Sequence, residues 1–213
     1  MSKIIAFDGV DGSGKSTTAR LVHDYLSIDR GLNATLVNMP GATKLGQELR
    51  RIVKSKEFRI DPKAERLIFA ADSAQFISEV VPAADILVCD RFSYITDLFY
   101  GHASGNDLEW LNNLQTHVVG QPIADILFLL QCPYEVSSAR KAAINSARPE
   151  NCRIEEKGNG FLEKVAELYN TLPPQIMSYL TERAKEIVFL DAAKPQAENM
   201  DIIKRNLERL IAS

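Results

Sequence analysis

Phe7-Asp8-Gly9-Val10-Asp11-Gly12-Ser13-Gly14-Lys15-Ser16-Thr17 is the stretch that decides the reading of this chain. Gly9 to Ser16 fits G-x-x-x-x-G-K-[ST], the spacing of a phosphate-binding loop. Its flanks agree. Lys3-Ile4-Ile5-Ala6-Phe7 is a short apolar run that reads as a buried strand. Beyond Ser16, Leu21, Val22, Tyr25 and Leu26 share one helical face. The three glycines permit positive φ and close backbone approach. Successive N–H groups then form an anion nest at a helix N-terminus. Lys15 adds a mobile positive charge for outer phosphates, and Ser16 offers a hydroxyl to Mg²⁺. A glycine-rich turn that binds nothing would require neither the lysine nor the serine.

Composition narrows the classes further. The 213 residues suit one α/β domain over 1–213, long enough for a full core. Hydrophobic residues make up 46% and charged residues 25%, ordinary for a globular protein, and the net charge is −3. Without a basic domain a nucleic acid polymer is not expected as a partner. Phosphate binding must come from local placement of Arg and Lys. Cys89, Cys132 and Cys152 are widely spaced and show no metal spacing. Cys89 and Cys132 sit in apolar runs as small core residues, which argues for a reducing, cytoplasmic setting. Only four apolar residues follow Lys3 before Asp8, so no signal peptide is expected. No apolar run reaches the roughly 18 residues of a membrane span.

Strand and helix patterns alternate throughout, which predicts a parallel sheet between layers of helices. Strands are expected at about 3–8, 34–37, 86–89, 126–130 and 187–190. Helices are expected at about 15–29, 43–54, 62–81, 93–100, 106–119, 133–145, 160–172, to about 184, and 196–211. Asp61 caps the third helix, with Pro62 in its first turn. Residues 146–158 are polar and charged and read as a mobile lid. Five parallel strands with a phosphate loop after the first make a P-loop kinase-like three-layer α/β/α domain, with ligands at the carboxyl ends of the strands.

Three further constellations carry chemistry. Asp90-Arg91 closes the third strand, where an acid can hold the Mg²⁺ shell and an arginine can fork onto a phosphate. Arg140, Lys141, Arg148 and Arg153 cluster around the expected lid, where cations can meet a transferring phosphoryl group. Position 12 is Gly, so the phosphate loop itself supplies no arginine. Phe69, Ser73 and Phe76 fall at i, i+4, i+7 on one stripe, opposite Leu67, Ile68, Ala71, Ala74 and Ile77. A helix apolar on two sides is buried all round or lends one side to a pocket.

Taken together these motifs resemble the thymidylate kinase family. Besides the phosphate loop, Pro40-Gly41-Ala42-Thr43 with Leu45-Gly46 and Arg50 is similar to its PGGT segment. Leu67-Ile68-Phe69-Ala70-Ala71-Asp72 is similar to its LLFAAD helix, Asp90-Arg91-Phe92 to its DRY, and Arg153-Ile154-Glu155 to its lid exit. Phe161, Lys164, Val165 and Tyr169 match the helix that follows. The resemblance implies transfer of the γ-phosphoryl of ATP to a deoxynucleoside monophosphate, most simply dTMP, with Mg²⁺, in a homodimer. It implies that Gly9, Val10, Asp11, Gly12, Ser13, Gly14, Lys15, Ser16 and Thr17 bind ATP, and that Ser16 and Asp90 serve the metal. Lys15, Asp11, Arg91, Arg148 and Arg153 would be catalytic. Arg50, Phe69, Ser73, Arg91, Thr96 and Tyr100 would bind the acceptor, with Phe69 stacked on its base.

Departures fall on the acceptor side. Asn38-Met39 replace Arg-Glu, Ser73 stands where an arginine commonly touches the base, and Leu98-Phe99-Tyr100-Gly101 replaces Ala-Tyr-Gln-Gly. The donor half matches while the base pocket is rewritten. Three other readings compete with it. A deoxynucleoside kinase has no acceptor phosphate for Arg50 and Arg91 to hold. A GTP-dependent switch would carry Asn-Lys-x-Asp, which is absent from the sequence. A regulatory protein could keep a nucleotide site without turnover.

Overall fold

The computed structural model describes residues 2–119, 124–147, 153 and 157–212. Five parallel strands form one sheet in the order β2-β3-β1-β4-β5. They are β1 (Lys3–Gly9), β2 (Ala34–Asn38), β3 (Ile86–Asp90), β4 (Ala124–Gln131) and β5 (Ala184–Asp191). The near-continuous apolar sequence of β1, β3 and β4 is what a sheet covered on both faces requires. Leu87, Val88, Leu127 and Phe128 are fully buried, and Phe7 stacks on Phe128 at 5.0 Å between ring centroids. Phe7 pairs with Asp90 in register. The segments leaving β1 and β3 therefore emerge side by side, and this positions the site.

Helices α1 (Lys15–Asp24), α2 (Lys44–Lys54), α3 (Pro62–Glu79) and α4 (Ser93–Ala103) occupy the first half. The second half carries α5 (Leu108–Val119), α6 (Tyr134–Ala147), α7 (Asn159–Thr171), α8 (Pro174–Thr181) and α9 (Gln196–Ala212). One layer has α1 against β1–β3 with α9 beside it; α4, α7 and α8 pack together on β1, β4 and β5. The Thr43 hydroxyl accepts from Gly46 N (2.9 Å) and Asp61 from Lys63 N (2.8 Å), so both caps form.

Four boundaries differ from the sequence reading. The expected helix to position 29 is α-helical only to Asp24 and then widens into a π-type turn over Tyr25–Asp29. Arg30 N reaches back to Tyr25 O, and Gly31 at φ +63 redirects the chain. Strand β5 begins at Ala184 because Ala184 pairs with Ala124, while the polar Lys185 and Glu186 carry no apolar signal. The end of α8 moves back to Thr181 accordingly. The lid expected at 146–158 starts inside α6, and most of it, including Arg148 and Cys152, lies outside the described residues.

Helix α3 departs from the pattern read in its sequence. Its buried face consists of Glu65, Arg66, Phe69, Ala70, Asp72, Ser73 and Phe76, whereas Leu67 is 53% exposed. Charge, not aliphatic surface, occupies the protected side. Such burial requires pairing, and the partners come from α4 and from beyond α6.

Candidate active site

A cavity of about 400 Å³ opens where the phosphate loop, the end of β3 and helices α2, α3, α4 and α6 converge. Its floor is the loop. Lys15 is 5% exposed and donates through Nζ to Val10 O and to Asp11 Oδ1, both at 3.3 Å. Gly12 has φ +86, and a Cβ there would collide with the Ser137 carbonyl of α6. Only glycine lets α6 press against the loop. Lys141, one turn beyond Ser137, consequently reaches 3.9 Å from Asp11 Oδ2. Ser16 lines the cavity from the first turn of α1, whereas Thr17 is exposed outside it.

Arg91 sits at φ +70, a left-handed conformation that costs a non-glycine residue on the order of 1–3 kcal/mol and concentrates at functional sites. The turn is held by Arg91 N donating to Phe7 O at 2.9 Å. It folds the side chain back over the end of β1. Nη1 approaches Asp8 Oδ1 (3.4 Å) and Gly9 O (3.3 Å), and Nη2 bonds Asp11 and the Tyr100 hydroxyl (3.2 Å). The guanidinium carbon lies 5.0 Å from the Tyr100 ring centre. Three cations, Arg91, Lys15 and Lys141, thus meet on the Asp11 carboxylate. Burial alone would raise that acid, but the three charges hold it well below the usual carboxylate range. Burial, and then Arg91, pull Lys15 down from its ordinary value.

Asp8 was not singled out from the sequence, where it reads as the end of a strand. It is fully buried and accepts from Gly9 N (2.8 Å), Thr96 Oγ1 (2.6 Å) and the Tyr169 hydroxyl (2.7 Å) as well as Arg91. This carboxylate ties β1, Arg91, α4 and α7 together. The available signal was an acid between Phe7 and Gly9, because a charge entering a buried strand must be paired. Lys141, named only as one of a basic cluster, is the other residue that the fold brings in.

The remaining expected residues divide. Arg50 lines the cavity and donates to Pro40 O at 2.7 Å. Phe69, Thr96 and Tyr100 also line it, Thr96 with its hydroxyl turned to Asp8. Ser73 is not on the wall: it is 2% exposed and its hydroxyl donates to Phe69 O at 3.0 Å, within its own helix. Arg153 is not on the cavity wall. Its Nε donates to Val53 O (3.1 Å) and Nη2 to Glu65 (2.9 Å). Asp90 is 8% exposed, lines the cavity, and its Oδ1 has no hydrogen-bond partner among the described residues. A slot of about 40 Å³ adjoins the cavity, sharing Met39, Pro40, Phe69, Arg91, Thr96 and Tyr100 with it and adding Glu65, Arg66, Asp97 and Lys157.

A protein-family model described as thymidylate kinase matches residues 7–201. A thymidylate kinase from Dehalococcoides mccartyi (strain BAV1) is 31% identical over 99% of this chain and 98% of its own. One from Thermosipho melanesiensis is 30% identical over 97% and 96%. One from Citrifermentans bemidjiense is 34% identical over 81% and 79%. With its sheet order, its phosphate loop and a match along nearly the whole sequence, the chain belongs to the thymidylate kinase family.

Proposed function

We propose that this protein transfers the γ-phosphoryl of ATP to dTMP, giving ADP and dTDP. The observation that carries the reading is the convergence of Lys15, Arg91 and Lys141 on Asp11 in a cavity whose inner wall holds Phe69. Phosphoryl transfer needs fixed positive charge around a group crossing between two bound phosphates. Gly9 to Thr17 would cradle the ATP phosphates on backbone N–H groups. Lys15 would follow the charge from the β,γ-bridge toward the transferring group, at no cost of reorganising solvent. Arg91 and Arg50 would hold the acceptor phosphate in line with it, and Phe69 would orient the base. Asp11 keeps the cations gathered before substrate arrives and yields them to the phosphates. Arg148 and Arg153 would add charge from the segment after α6, Arg153 exchanging its contact with Glu65 for a phosphate. Ser73 would support the backbone of α3 beneath Phe69 without contacting the base, unlike the role expected of it from sequence.

Ser16 and Asp90 would hold Mg²⁺, and the orphaned buried Oδ1 of Asp90 fits a cation beside the phosphate loop. That ion would neutralise charge on the β- and γ-phosphates. No helix among the described residues is long and apolar enough to cross a membrane. The buried free thiols of Cys89 and Cys132 suit a reducing compartment, and the reading extends to a cytoplasmic homodimer acting within one polypeptide domain. A panel of nucleoside monophosphates with ATP and Mg²⁺, scored by ADP release, tests it. dTMP or dUMP leading is expected. A purine monophosphate leading by more than about tenfold, or no transfer to any acceptor, would refute it.

A further inference from the structure

We infer that Arg66 reads the acceptor's base, donating a hydrogen bond to the oxygen on the pyrimidine carbon opposite the sugar-bearing nitrogen. The inference rests on the dTMP kinase reading and assigns its base specificity. Four observations carry it. Arg66 lines the inner slot beyond Phe69, and its guanidinium carbon lies 4.6 Å from the centre of that ring. Its side chain is 3% exposed. Two of its nitrogens are engaged, Nη1 with Asp97 Oδ1 at 2.7 Å and Nη2 with Glu65 Oε1 at 3.2 Å. The third, Nε, is buried without a hydrogen-bond partner among the described residues. A buried unpaired donor is costly, and a site that keeps one is ready for an acceptor atom from a ligand.

The layout of the cleft says which atom. Lys15, Ser16 and Asp11 mark the phosphate end, and they line the larger cavity but not the slot. Glu65, Arg66, Asp97 and Lys157 line the slot but not the larger cavity. Arg91, Thr96 and Tyr100 line both, so a nucleotide whose phosphate lies on the Lys15 side of Arg91 presents its leading base edge to Arg66. In a pyrimidine that edge is the 4-position, across the ring from the sugar. Thymine and uracil carry a carbonyl there, and cytosine an amino group. An N–H facing an amino group leaves both donors unpaired, which is how a site built for one hydrogen bond rejects the analogue lacking it. Asp97 and Glu65 hold the guanidinium in place, so the donor is positioned before the base arrives. The expected reader at position 73 is not required, because Arg66 and Ser73 lie seven residues apart on the same buried face of α3.

The experiment compares dTMP, dUMP and dCMP in steady-state kinetics with saturating ATP and Mg²⁺, in wild type and Arg66→Lys. Lysine keeps the charge between Glu65 and Asp97 but removes the planar donor. Wild type should favour dTMP and dUMP over dCMP by about ten- to a hundredfold in kcat/KM, the range of one hydrogen bond to a charged group. Arg66→Lys should lose most of that preference through the acceptor KM, leaving the KM for ATP unchanged. Because a buried variant can fail to fold, a second measurement uses wild type alone. In ¹⁵N-resolved NMR spectra an arginine Nε–H resonance should move downfield on adding dTMP or dUMP and stay in place with dCMP. A wild type that uses dCMP as well as dTMP, a lysine variant that keeps the preference, or an Nε–H signal indifferent to the base overturns the inference. Absence of transfer to every monophosphate would instead refute the kinase reading itself, so the two failures are distinguishable.

Discussion

At the residue scale the site is a set of charges that cancel in pairs before substrate arrives. Lys15 lines the cavity and, among the described residues, donates only within its own loop, so Lys15→Ala should leave the fold intact while kcat drops roughly a thousandfold, the usual loss for preorganised charge. Steady-state kinetics beside a circular-dichroism melt would check it, and a folded variant with near-normal kcat would remove the basis for phosphoryl transfer. Asp97 makes the second case. Burial pushes its carboxyl up to about 6, outweighing Arg66 beside it; Glu65 adds to the rise, and the Gln115 amide donates at 2.7 Å. A folded-state value above the ordinary 3.8 means that the protonated acid is favoured by folding. Its contribution to stability is complete below the ordinary value and is lost as pH rises through about 6. The carboxyl ¹³C resonance of Asp97 should titrate with a midpoint near 6; a midpoint near that of a free aspartate would show that Arg66 wins instead.

At the element scale the contact between α6 and the phosphate loop is decisive. Gly12 is required twice, by its φ of +86 and by the Ser137 carbonyl above it. Gly12→Ala has no flexible neighbour to displace, only helix backbone, so α6 must retreat and carry Lys141 away from Asp11. The expected cost is about 1–3 kcal/mol of stability from overpacking, together with a fall in kcat beyond what a stable fold would suggest. A chemical-denaturation curve and a turnover assay on the same preparation would test this, and wild-type values for both would show that the loop and α6 separate freely. Helix α7 meets the end of β1, just before that loop, through Tyr169, whose hydroxyl bonds Asp8 and whose ring stacks on Phe99 at 3.7 Å.

At the scale of the whole molecule, substrate binding and stability are linked. A ligand that binds only the folded chain at a hundred times its Kd contributes about 2.7 kcal/mol. For a chain of this length that shifts Tm by roughly 5–10 °C. ATP with Mg²⁺ should raise Tm, and dTMP should raise it separately, because the phosphate loop and the Phe69–Arg66 end are distinct walls of one cavity. A thermal melt unchanged by saturating dTMP would contradict an acceptor site there. The parallel sheet is the rigid partner in this linkage: β1, β3 and β4 are buried along most of their length, and the phosphate loop and the Asp90-Arg91 turn leave from the carboxyl ends of β1 and β3.

What the sequence determined by itself was local. Gly9 to Ser16, the apolar strands and the caps at Thr43 and Asp61 are encoded within a few residues, so their reading needed no tertiary information. The sites of Lys15, Arg50, Phe69 and Arg91 on the cavity wall follow from strand ends and helix faces. Only the tertiary structure decided which polar groups meet. Arg66 and Asp97 are 31 positions apart and Arg91 and Asp8 are 83 apart, and no pattern within one element joins them. Ser73 looked like a wall residue because it shares a stripe with Phe69, yet its hydroxyl is satisfied inside α3. Arg153 belonged by sequence to a cluster of phosphate-facing cations, yet Glu65 holds it. In each case the physical reason is the same. A polar side chain excluded from water goes to the partner that satisfies it, and packing between distant segments determines which partner is within reach.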